Sequence, residues 1–511
     1  MARYKPVFRG LKMIPLSLED QIVEGTFEFA LRQLVDEELD LSGLDAKFNN
    51  DETGASAYDP RVMLKIVLLG YSRGLISSRA IERACEENVI FMSISGDAHP
   101  SYTHIAKFVR ELEEDIQPLF SQVLMTCDRM GLIGKEHFAI DGVKLPSNAS
   151  KERSGTHAEL LHRADRLEKV SSKIMQLHRD RDHDKGSGDQ DVVAKRLKYA
   201  EKVSKEAQRT RDFVATNPPK RNAEGKELKS NVTDNDSAKI GGPRGAIQGY
   251  AAQAAVDGKH QVIVAADVLG SGSEQAALLP MVEKAKPLGT DQTLYLADAG
   301  YHSTENLEAL RAGDTPALIA DNDMRKRDER LADQGKHRAK PEVVYNKTQA
   351  KQDREHPKRE LFGVEDFHYD EEHKVCICPA GHFLVSHGSA PSNEGYEGQR
   401  FVGTHRTCGP CELRDDCLRH PEKTKLRQVM FFKKDQPSPK KILAVMREAI
   451  DSPEGRALYG KRMGAVEPVF ANVKHNKRMS RFTLRGRCKV NTQWNLYCLV
   501  HNIEKIANNP A

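Results

Sequence analysis

The sequence predicts a mixed α/β protein in which a sheet flanked by helices follows a helical region and is interrupted by two insertions. Short apolar runs ending in acidic residues are typical of buried strands, apolar residues at helical spacing lie between them, and two long polar stretches separate the parts. The predicted parts are a helical N-terminal domain (1–130), a core in three pieces (131–150, 231–320 and 441–511), a helical hairpin insertion (151–230) and a Cys-rich insertion (321–440).

The composition is that of a soluble globular protein with polar insertions. Of 511 residues, 39% are hydrophobic and 30% are charged, which is enough apolar material to bury a core in more than one domain. The basic N-terminus is not followed by an apolar segment of the signal-peptide type. The most apolar stretch, Val62 to Leu69, contains Lys65 and is too short to span a bilayer. We therefore expect a cytoplasmic protein that does not contact membranes.

The N-terminal region shows helix start signals in front of apolar periodic segments. Asp59-Pro60 is an N-cap followed by proline in the first turn, and it predicts a buried helix from Val62 to Tyr71. Ser77 can cap the next helix, and apolar residues at helical spacing predict one long amphipathic helix over 103–123. Both a helix-turn-helix that reads DNA and a helical packing domain fit this pattern.

The first insertion carries apolar residues at seven-residue spacing. This spacing is typical of a helix that packs along a second helix, and the Gly-Ser-Gly at 186–188 then breaks the pattern before it resumes. We expect an antiparallel helical hairpin that acts as a structural or oligomeric arm. The residues that define the first repeat are Leu160, Leu167, Val170, Ile174 and Leu177.

The core is predicted as an order of strands and helices. Its first strand ends at Asp141, and Asp257-Gly258 is a strong hairpin signal between the second and third strands. The remaining segments are a helix over 274–286, a strand over 293–298, a helix over 304–311, a strand over 316–320, a helix opened by Ser452-Pro453 and a final helix over 491–506. The resulting order, β-β-β-α-β-α-β-α, is that of the RNase H-like fold.

Three acids stand out within this order. Asp141 and Asp298 end apolar runs, and Glu467 lies in a predicted late helix. Carboxylates at the ends of buried strands are costly unless something pairs with them, and a pair of divalent metal ions would meet that need. In an RNase H-like sheet the first and fourth strands are neighbours, so we expect Asp141 and Asp298 to meet.

A basic stretch surrounds the third acid. Nine Lys or Arg residues occur between Lys461 and Lys489, against the single acid Glu467. Such clustering is typical of a nucleic-acid footprint, and a solvated basic face is the alternative.

The Cys-rich insertion holds five of the nine cysteines, between 376 and 417. Cys408 and Cys411 form a CxxC, and with Cys378 and Cys417 they make four sulfur ligands of the kind that bind structural zinc. An iron–sulfur cluster and plain cysteines are the alternatives, and Cys376, His382 and His420 are alternative ligands. The remaining cysteines, Cys85, Cys127, Cys488 and Cys498, are expected to be small buried residues.

Taken in order, these segments make the chain resemble bacterial insertion-sequence DDE transposases, in the group with a Tyr-Arg-Glu-Lys signature around the third acid. Tyr459, Arg462, Glu467 and Lys474 occupy the signature positions. The matching segments are Ile140-Asp141-Gly142, Thr233-Asp234-Asn235-Asp236-Ser237, Gly249-Tyr250, Ala297-Asp298-Ala299-Gly300-Tyr301 and Val466-Glu467-Pro468-Val469-Phe470.

The resemblance implies a function and a set of residue roles. Asp141, Asp298 and Glu467 would hold two Mg²⁺ or Mn²⁺ ions, and the enzyme would cleave its element's ends and transfer them to target DNA. Its partners would be double-stranded DNA, as terminal inverted repeats and as target, and a second copy of the chain in a dimer or larger complex. The expected location is the bacterial cytoplasm at the nucleoid. The predicted DNA-binding residues are Tyr459, Arg462, Lys474, Lys477, Arg478, Arg481 and Arg485.

Two alternatives fit the same residues. One is a catalytically inactive, transposase-derived DNA-binding protein that uses the helical N-terminus and the basic stretch. The other is an RNase H-like nuclease that cuts DNA without joining the ends.

Overall fold

The computed structural model describes residues 15–48, 56–183, 190–222, 225–242, 245–328, 361–370, 372–391, 397–432 and 441–509. Two compact units make up the chain: Met1–Ile319 with Arg456–Ala511, and Ala320–Gly455. The segments predicted as N-terminal domain and helical hairpin both belong to the first unit, and the predicted break at 186–188 lies outside the described residues. No described helix is long and apolar enough to cross a membrane.

The first unit contains a mixed sheet. Its strands are β1 His137–Pro146, β4 Ala238–Gly242, β5 Gly245–Asp257, β6 Ile263–Leu269, β7 Leu294–Ala297 and β8 Ala317–Ile319, while β2 Ser154–Gly155 and β3 Ser230–Asn231 form a separate pair. β5 pairs antiparallel with β1, β4 and β6, and β7 pairs parallel with β1 and β8. The predicted mixed α/β class is therefore confirmed.

The first strand is longer than its apolar run predicted. β1 does not end at Asp141 but continues to Pro146, and its pairing with β5 extends to Pro146 opposite Gly249. Main-chain pairing with a long neighbour keeps these residues extended although the continuous apolar run has ended. On the other side, the pairing with β7 ends at Ile140 opposite Ala297. Asp141 therefore lies within a strand at the point where one of its neighbours stops.

The helices of the first unit include one predicted helix that is divided in two. Instead of one helix over 103–123, the structure has α6 and α7, and Pro118 lies in the first turn of α7. Proline has no N–H for the carbonyl four residues back and its ring clashes with that carbonyl, so the helix must restart just before it. The helices up to this point are α1 Phe27–Gln33, α2 Ser42–Asp45, α3 Pro60–Ser72, α4 Ser78–Glu87, α5 Val89–Ser95, α6 Tyr102–Glu111 and α7 Ile116–Arg129.

Two long helices, α8 His157–His183 and α9 Gln190–Thr216, follow β1. They run antiparallel, since Ser171 Oγ donates to the carbonyl of Ala200 and Arg163 pairs with Glu206 at 3.2 Å. A further contact joins Arg211 of α9 to Asp165 of α8 at 2.8 Å. These polar contacts fix the register of the pair.

The remaining described helices lie in the C-terminal half of the chain. They are α10 Leu278–Ala285, α11 Thr304–Ala312, α12 Met324–Arg327, α13 His405–Cys408, α14 Arg414–Cys417, α15 Lys441–Asp451, α16 Pro453–Ala471 and α17 Arg487–Ala507. α17 packs against β6 and against α3 and α7. Trp494 Nε1 donates to the carbonyl of Gln253 at 2.8 Å, and the Asn502 side chain bonds both the N–H and the carbonyl of Ile263. The last helix therefore joins the N-terminal helices to the sheet.

The second unit is built on an antiparallel sheet in the order β13-β12-β11-β10-β9. Its small apolar core consists of Phe367, Cys376, Leu384, Phe401 and Val429. The strands are β9 His368–Asp370, β10 Val375–Ile377, β11 Phe383–Pro391, β12 Glu397–Val402 and β13 Gln428–Phe432.

Three of the four cysteines expected to be buried are buried. Cys85, Cys127 and Cys498 lie in the core of the first unit. Cys488 is exposed in the first turn of α17, so its predicted burial was wrong. A helix start presents part of its circumference to water, and residue type alone does not say which part.

Candidate active site

Asp141 and Asp298 occupy equivalent positions, because each directly follows the last residue pair that joins the parallel strands β1 and β7. Ile140 is opposite Ala297, so the residues that follow them lie side by side and point to the same face of the sheet. Asp298 comes directly after β7 and caps a short turn, where its Oδ1 accepts the Gly300 N–H at 2.9 Å. The structure therefore brings together two of the three predicted acids, which are far apart in sequence.

Asp141 is held by an arginine of the Tyr-Arg-Glu-Lys segment. Arg462 Nη1 donates to Asp141 Oδ2 at 2.9 Å, and the two side chains are 11% and 23% exposed. Asp141 Oδ1 accepts the N–H of Gly142 at 2.7 Å. Burial raises the pKa of Asp141 and the nearby Asp298 raises it further, while Arg462 and the Gly142 N–H oppose the shift. Arg462 opposes the shift more strongly than Asp298 adds to it, so burial is the main reason that the charged form of Asp141 is disfavoured.

A third acid at this site was missed by the sequence reasoning. Glu274, between β6 and α10, is 15% exposed and has its Oε1 3.7 Å from Lys144 Nζ. Its pKa is raised by burial; Lys144 opposes this shift, while Asp298 and then Asp141 add to it. The only signal in the sequence was an acid at the start of a predicted helix, which is also the signature of an ordinary helix terminus.

Gly300 leaves room for two of these carboxylates. A β-carbon built on Gly300 would lie 3.0 Å from Asp298 Oδ1 and 3.4 Å from Glu274 Oε2. The two carboxylates therefore flank the same backbone position, and a side chain there would crowd both of them.

Several polar atoms are buried beneath the carboxylates of this site, and some of them have no hydrogen-bond partner. Tyr301 is buried and its hydroxyl donates to Gln253 Oε1, while burial raises the pKa of Tyr301 and the charges of Asp141, Glu274 and Asp298 add to the shift. Within the described residues, Gln253 Nε2, Glu274 Oε1 and Arg462 Nε are buried without a hydrogen-bond partner. Buried polar groups are nearly always satisfied, so these atoms point to a further binding group at the site.

Glu467, the third predicted acid, lies on α16 together with Tyr459 and Arg462. The Arg462 guanidinium is 5.7 Å from the centre of the Tyr459 ring, and burial raises the pKa of Tyr459. Glu467 is exposed. In the described part of the chain, no three His, Cys, Asp or Glu side chains are grouped tightly enough to hold an ion as they stand.

Proline disfavours helical geometry at the residue before it, yet α16 continues through Pro468 to Ala471. A proline in a helix leaves the carbonyl four residues earlier without its N–H partner. Here that carbonyl belongs to Gly464, and it accepts a hydrogen bond from Gln261 Nε2 at 3.0 Å. The side chain of a turn residue thus replaces the missing helical bond and keeps Glu467 within a regular helix.

The predicted DNA-binding residues fall into three groups, of which the first, Tyr459 and Arg462, lies close to Asp141. Lys474, Arg478, Arg481 and Arg485 are exposed. Arg481 Nη2 bonds Asn148 Oδ1 at 3.1 Å and Arg485 Nε bonds the Asn148 carbonyl at 2.9 Å, so both stand beside the segment that follows β1. Lys477 is different. It is fully buried and its Nζ is 2.6 Å from Glu504 Oε2, so its predicted DNA contact is corrected to a structural role.

Other acids near the core strands accept hydrogen bonds that stabilise turns and neighbouring segments of the fold. Asp257 Oδ1 accepts the N–H of Gly134 at 2.9 Å, and its Oδ2 accepts the N–H of Lys259 at 2.8 Å. Asp234 accepts the Tyr250 hydroxyl at 2.7 Å, and Asp236 accepts the N–H of Arg487 at 2.9 Å.

Comparison with known families gives two matches. The model described as "Transposase domain (DUF772)" matches residues 16–111, and the model described as "Transposase DDE domain" matches residues 377–507. The second match includes Glu467 and the basic stretch but neither Asp141 nor Asp298. No curated protein matches the chain.

Proposed function

We propose, for a chain that belongs to the insertion-sequence DDE transposases, that it cleaves DNA at the ends of its element and joins those ends to target DNA. The observation that carries the proposal is the side-by-side position of Asp141 and Asp298 where β7 ends. The strand order β6-β5-β1-β7-β8, with β5 antiparallel to β1 and β7 parallel to it, also supports an RNase H-like core.

The residues present fit the divalent ions that DDE transposases generally use. Carboxylate oxygens are the donors that Mg²⁺ and Mn²⁺ prefer, and a cation would stabilise the charged forms of Asp141 and Glu274, whose pKa values are raised by burial and, to a smaller extent, by neighbouring carboxylates. We assign Asp141, Asp298 and Glu467 as ligands of two such ions. When bound, the ions activate the attacking oxygen and stabilise the leaving one.

The chain's own residues prepare this site. Arg462 neutralises part of the charge of Asp141 and orients its carboxylate through the 2.9 Å hydrogen bond. Glu274 adds a further negative charge beside Asp298, and Lys144 limits its repulsion. We assign Glu274 a positioning role, because its Oε2 and Asp298 Oδ1 flank Gly300. We keep Glu467 as the third acid because it lies on the helix that carries Arg462 to Asp141.

The exposed cations supply the contacts with DNA. Lys474, Arg478, Arg481 and Arg485 would bind phosphates, and the contacts of Arg481 and Arg485 with Asn148 direct them toward the segment that follows Asp141 on β1. Handling two element ends at once requires two copies of the site, so we propose that a dimer or larger assembly binds the terminal inverted repeats.

The test is cleavage and joining of DNA that carries the sequences flanking the gene, in Mg²⁺ or Mn²⁺. Wild type should release 3′ ends and transfer them to a plasmid. Asp298→Asn should lose both activities, while Asp291→Asn, an exposed acid just before β7, should retain them. Cleavage that survives Asp298→Asn would overturn the site assignment. Cleavage without joining would favour a nuclease, and binding without cleavage would favour an inactive DNA-binding protein.

A further inference from the structure

Four cysteines of the second unit line one cavity, which we call the cysteine cavity. They are Cys378, Cys408, Cys411 and Cys417, and none of them forms a disulfide. They come from separate segments: the end of β10, α13, the loop that follows it, and the end of α14. Thiols from several segments that line one cavity are typical of a metal centre with sulfur ligands.

The backbone around the cavity is held in place by two arginines. Arg414 donates to the carbonyl of Cys408 at 2.7 Å and to that of Thr424 at 2.8 Å. Arg427 donates to the carbonyl of Cys417 at 3.1 Å and to that of Phe362 at 2.8 Å. These hydrogen bonds fix the backbone at Cys408 and Cys417.

Two glycines allow the backbone arrangement around Cys408 and Cys378. A β-carbon on Gly403 would lie 2.2 Å from Cys408 Sγ, so only glycine lets that sulfur lie against the backbone. Gly381 has φ +79° and donates its N–H to the carbonyl of Cys378 at 2.8 Å, which turns the chain back after β10. This turn leaves Cys378 at the edge of the cavity.

The apolar core of this sheet is small for an independent fold. Five buried side chains form it, one of them a cysteine, and the long connection between β12 and β13 carries three of the four cavity cysteines. Small modules of this kind usually need disulfides or a structural metal in addition to their core. None of the cavity cysteines forms a disulfide, so a metal bound by them would add a further link between the connection and the sheet.

The candidate zinc ligands differ in whether they line the cysteine cavity. Cys376 is fully buried in the apolar core and does not line the cavity. His420 does not line it either, whereas His382 does.

We propose that Cys378, Cys408, Cys411 and Cys417 bind one structural Zn²⁺ ion that fixes the β12–β13 connection against the sheet. Four thiolates would complete the tetrahedral shell and leave no open position for chemistry. The four sulfurs would turn toward the cavity by rotation about χ1, since the described side chains are not yet grouped around one point.

The test is metal analysis of the purified full-length chain. Wild type should contain about one zinc per chain, and replacement by Co²⁺ should give the charge-transfer bands of tetrahedral thiolate coordination. Cys411→Ser should lower the zinc content several-fold, and Cys488→Ser, an exposed cysteine of the first unit, should leave it unchanged. His382→Ala should also keep zinc, because four sulfurs suffice.

Removal of zinc from the wild type by a strong chelator is a second measurement, which does not depend on the folding of the variants. It should expose the β12–β13 connection to protease, and added Zn²⁺ should restore protection. Absence of zinc in the wild type, binding of iron in its place, or full zinc content in Cys411→Ser would each overturn the proposal. The proposal does not depend on the catalytic assignment, because Asp298→Asn should abolish cleavage while retaining the zinc.

Discussion

Arg462 Nη1 donates a hydrogen bond to Asp141 Oδ2 over 2.9 Å, which joins α16 to the strand that carries the first acid. The arginine stands where a cation is needed, because burial and the neighbouring Asp298 both disfavour the charged form of Asp141. Arg462 thereby links α16 directly to Asp141, and its removal has a predictable effect on the pKa of that carboxyl group.

Metal binding at this site should strengthen as the pH rises. A divalent ion binds the deprotonated carboxylate, and the raised pKa of Asp141 means that protons compete to a higher pH than for an ordinary aspartate. Arg462→Gln removes the charge that lowers this pKa, so the midpoint of Mn²⁺ binding against pH should move upward. Calorimetric titration between pH 5 and 8 measures it, with Arg462→Lys as the charge-retaining control. An unchanged midpoint in Arg462→Gln would show that the pair does not control the carboxylate.

Glu274→Gln should lower DNA cleavage by about 10-fold to 100-fold, the range typical of residues that orient metal ligands. The substitution keeps the size of the side chain and removes a carboxylate whose own pKa is raised by burial and further by Asp298 and Asp141. DNA binding should be unchanged. Glu283→Gln, an exposed acid on α10, is the matched control and should cleave as wild type does. Full activity of Glu274→Gln would limit Glu274 to a packing role.

The contrast between Asp298 and Glu274 shows what the sequence can predict about this site. Apolar runs ending in Asp141 and Asp298 were visible as strands, and the element order predicted that the two would be neighbours. Glu274 approaches them through a connection outside the strands, where local pattern carries no information about distance. Lys477 was misplaced for a similar reason, because its burial depends on Glu504, a partner on α17. The continuation of α16 through Pro468 could not be predicted from the local sequence either, because the contact that stabilises it comes from Gln261, which is far away in the sequence.

The exposed and buried cations of the basic stretch should differ in their effect on DNA binding. Arg485→Ala should weaken binding and reduce the slope of log K against log salt by about 0.9, as expected for the loss of one phosphate contact. Lys477→Met should leave that slope unchanged and instead lower stability, because it leaves Glu504 without its 2.6 Å partner. Fluorescence anisotropy at several salt concentrations measures the slopes. Lys326→Ala, an exposed lysine of the second unit, is the control. A reduced slope for Lys477→Met would contradict its structural role.

His501 should make the first unit less stable in mild acid. This buried histidine donates from Nε2 to the carbonyl of Gln261 at 2.9 Å, so the neutral ring accepts from Asn472 Nδ2 at Nδ1 over 3.1 Å. Burial lowers the pKa of His501 to about 3, and the charges of Lys477 and Lys505 contribute to the shift, whereas the unfolded chain has a histidine pKa of about 6.5. Between these values the unfolded state binds the extra proton, so stability is present above about pH 6.5 and is lost as the pH falls, by up to about 1.4 kcal/mol per pH unit.

The single tryptophan, Trp494, lies on the same helix as His501 and reports unfolding of this unit by its fluorescence. Wild type should lose stability steadily from pH 6.5 to pH 5. His501→Gln keeps a donor for the Gln261 carbonyl but does not titrate, so its stability should fall less steeply over the same range, even if it is lower at pH 7.5. Equal slopes for the two proteins would mean that acidic groups elsewhere, and not His501, determine the acid sensitivity of the unit.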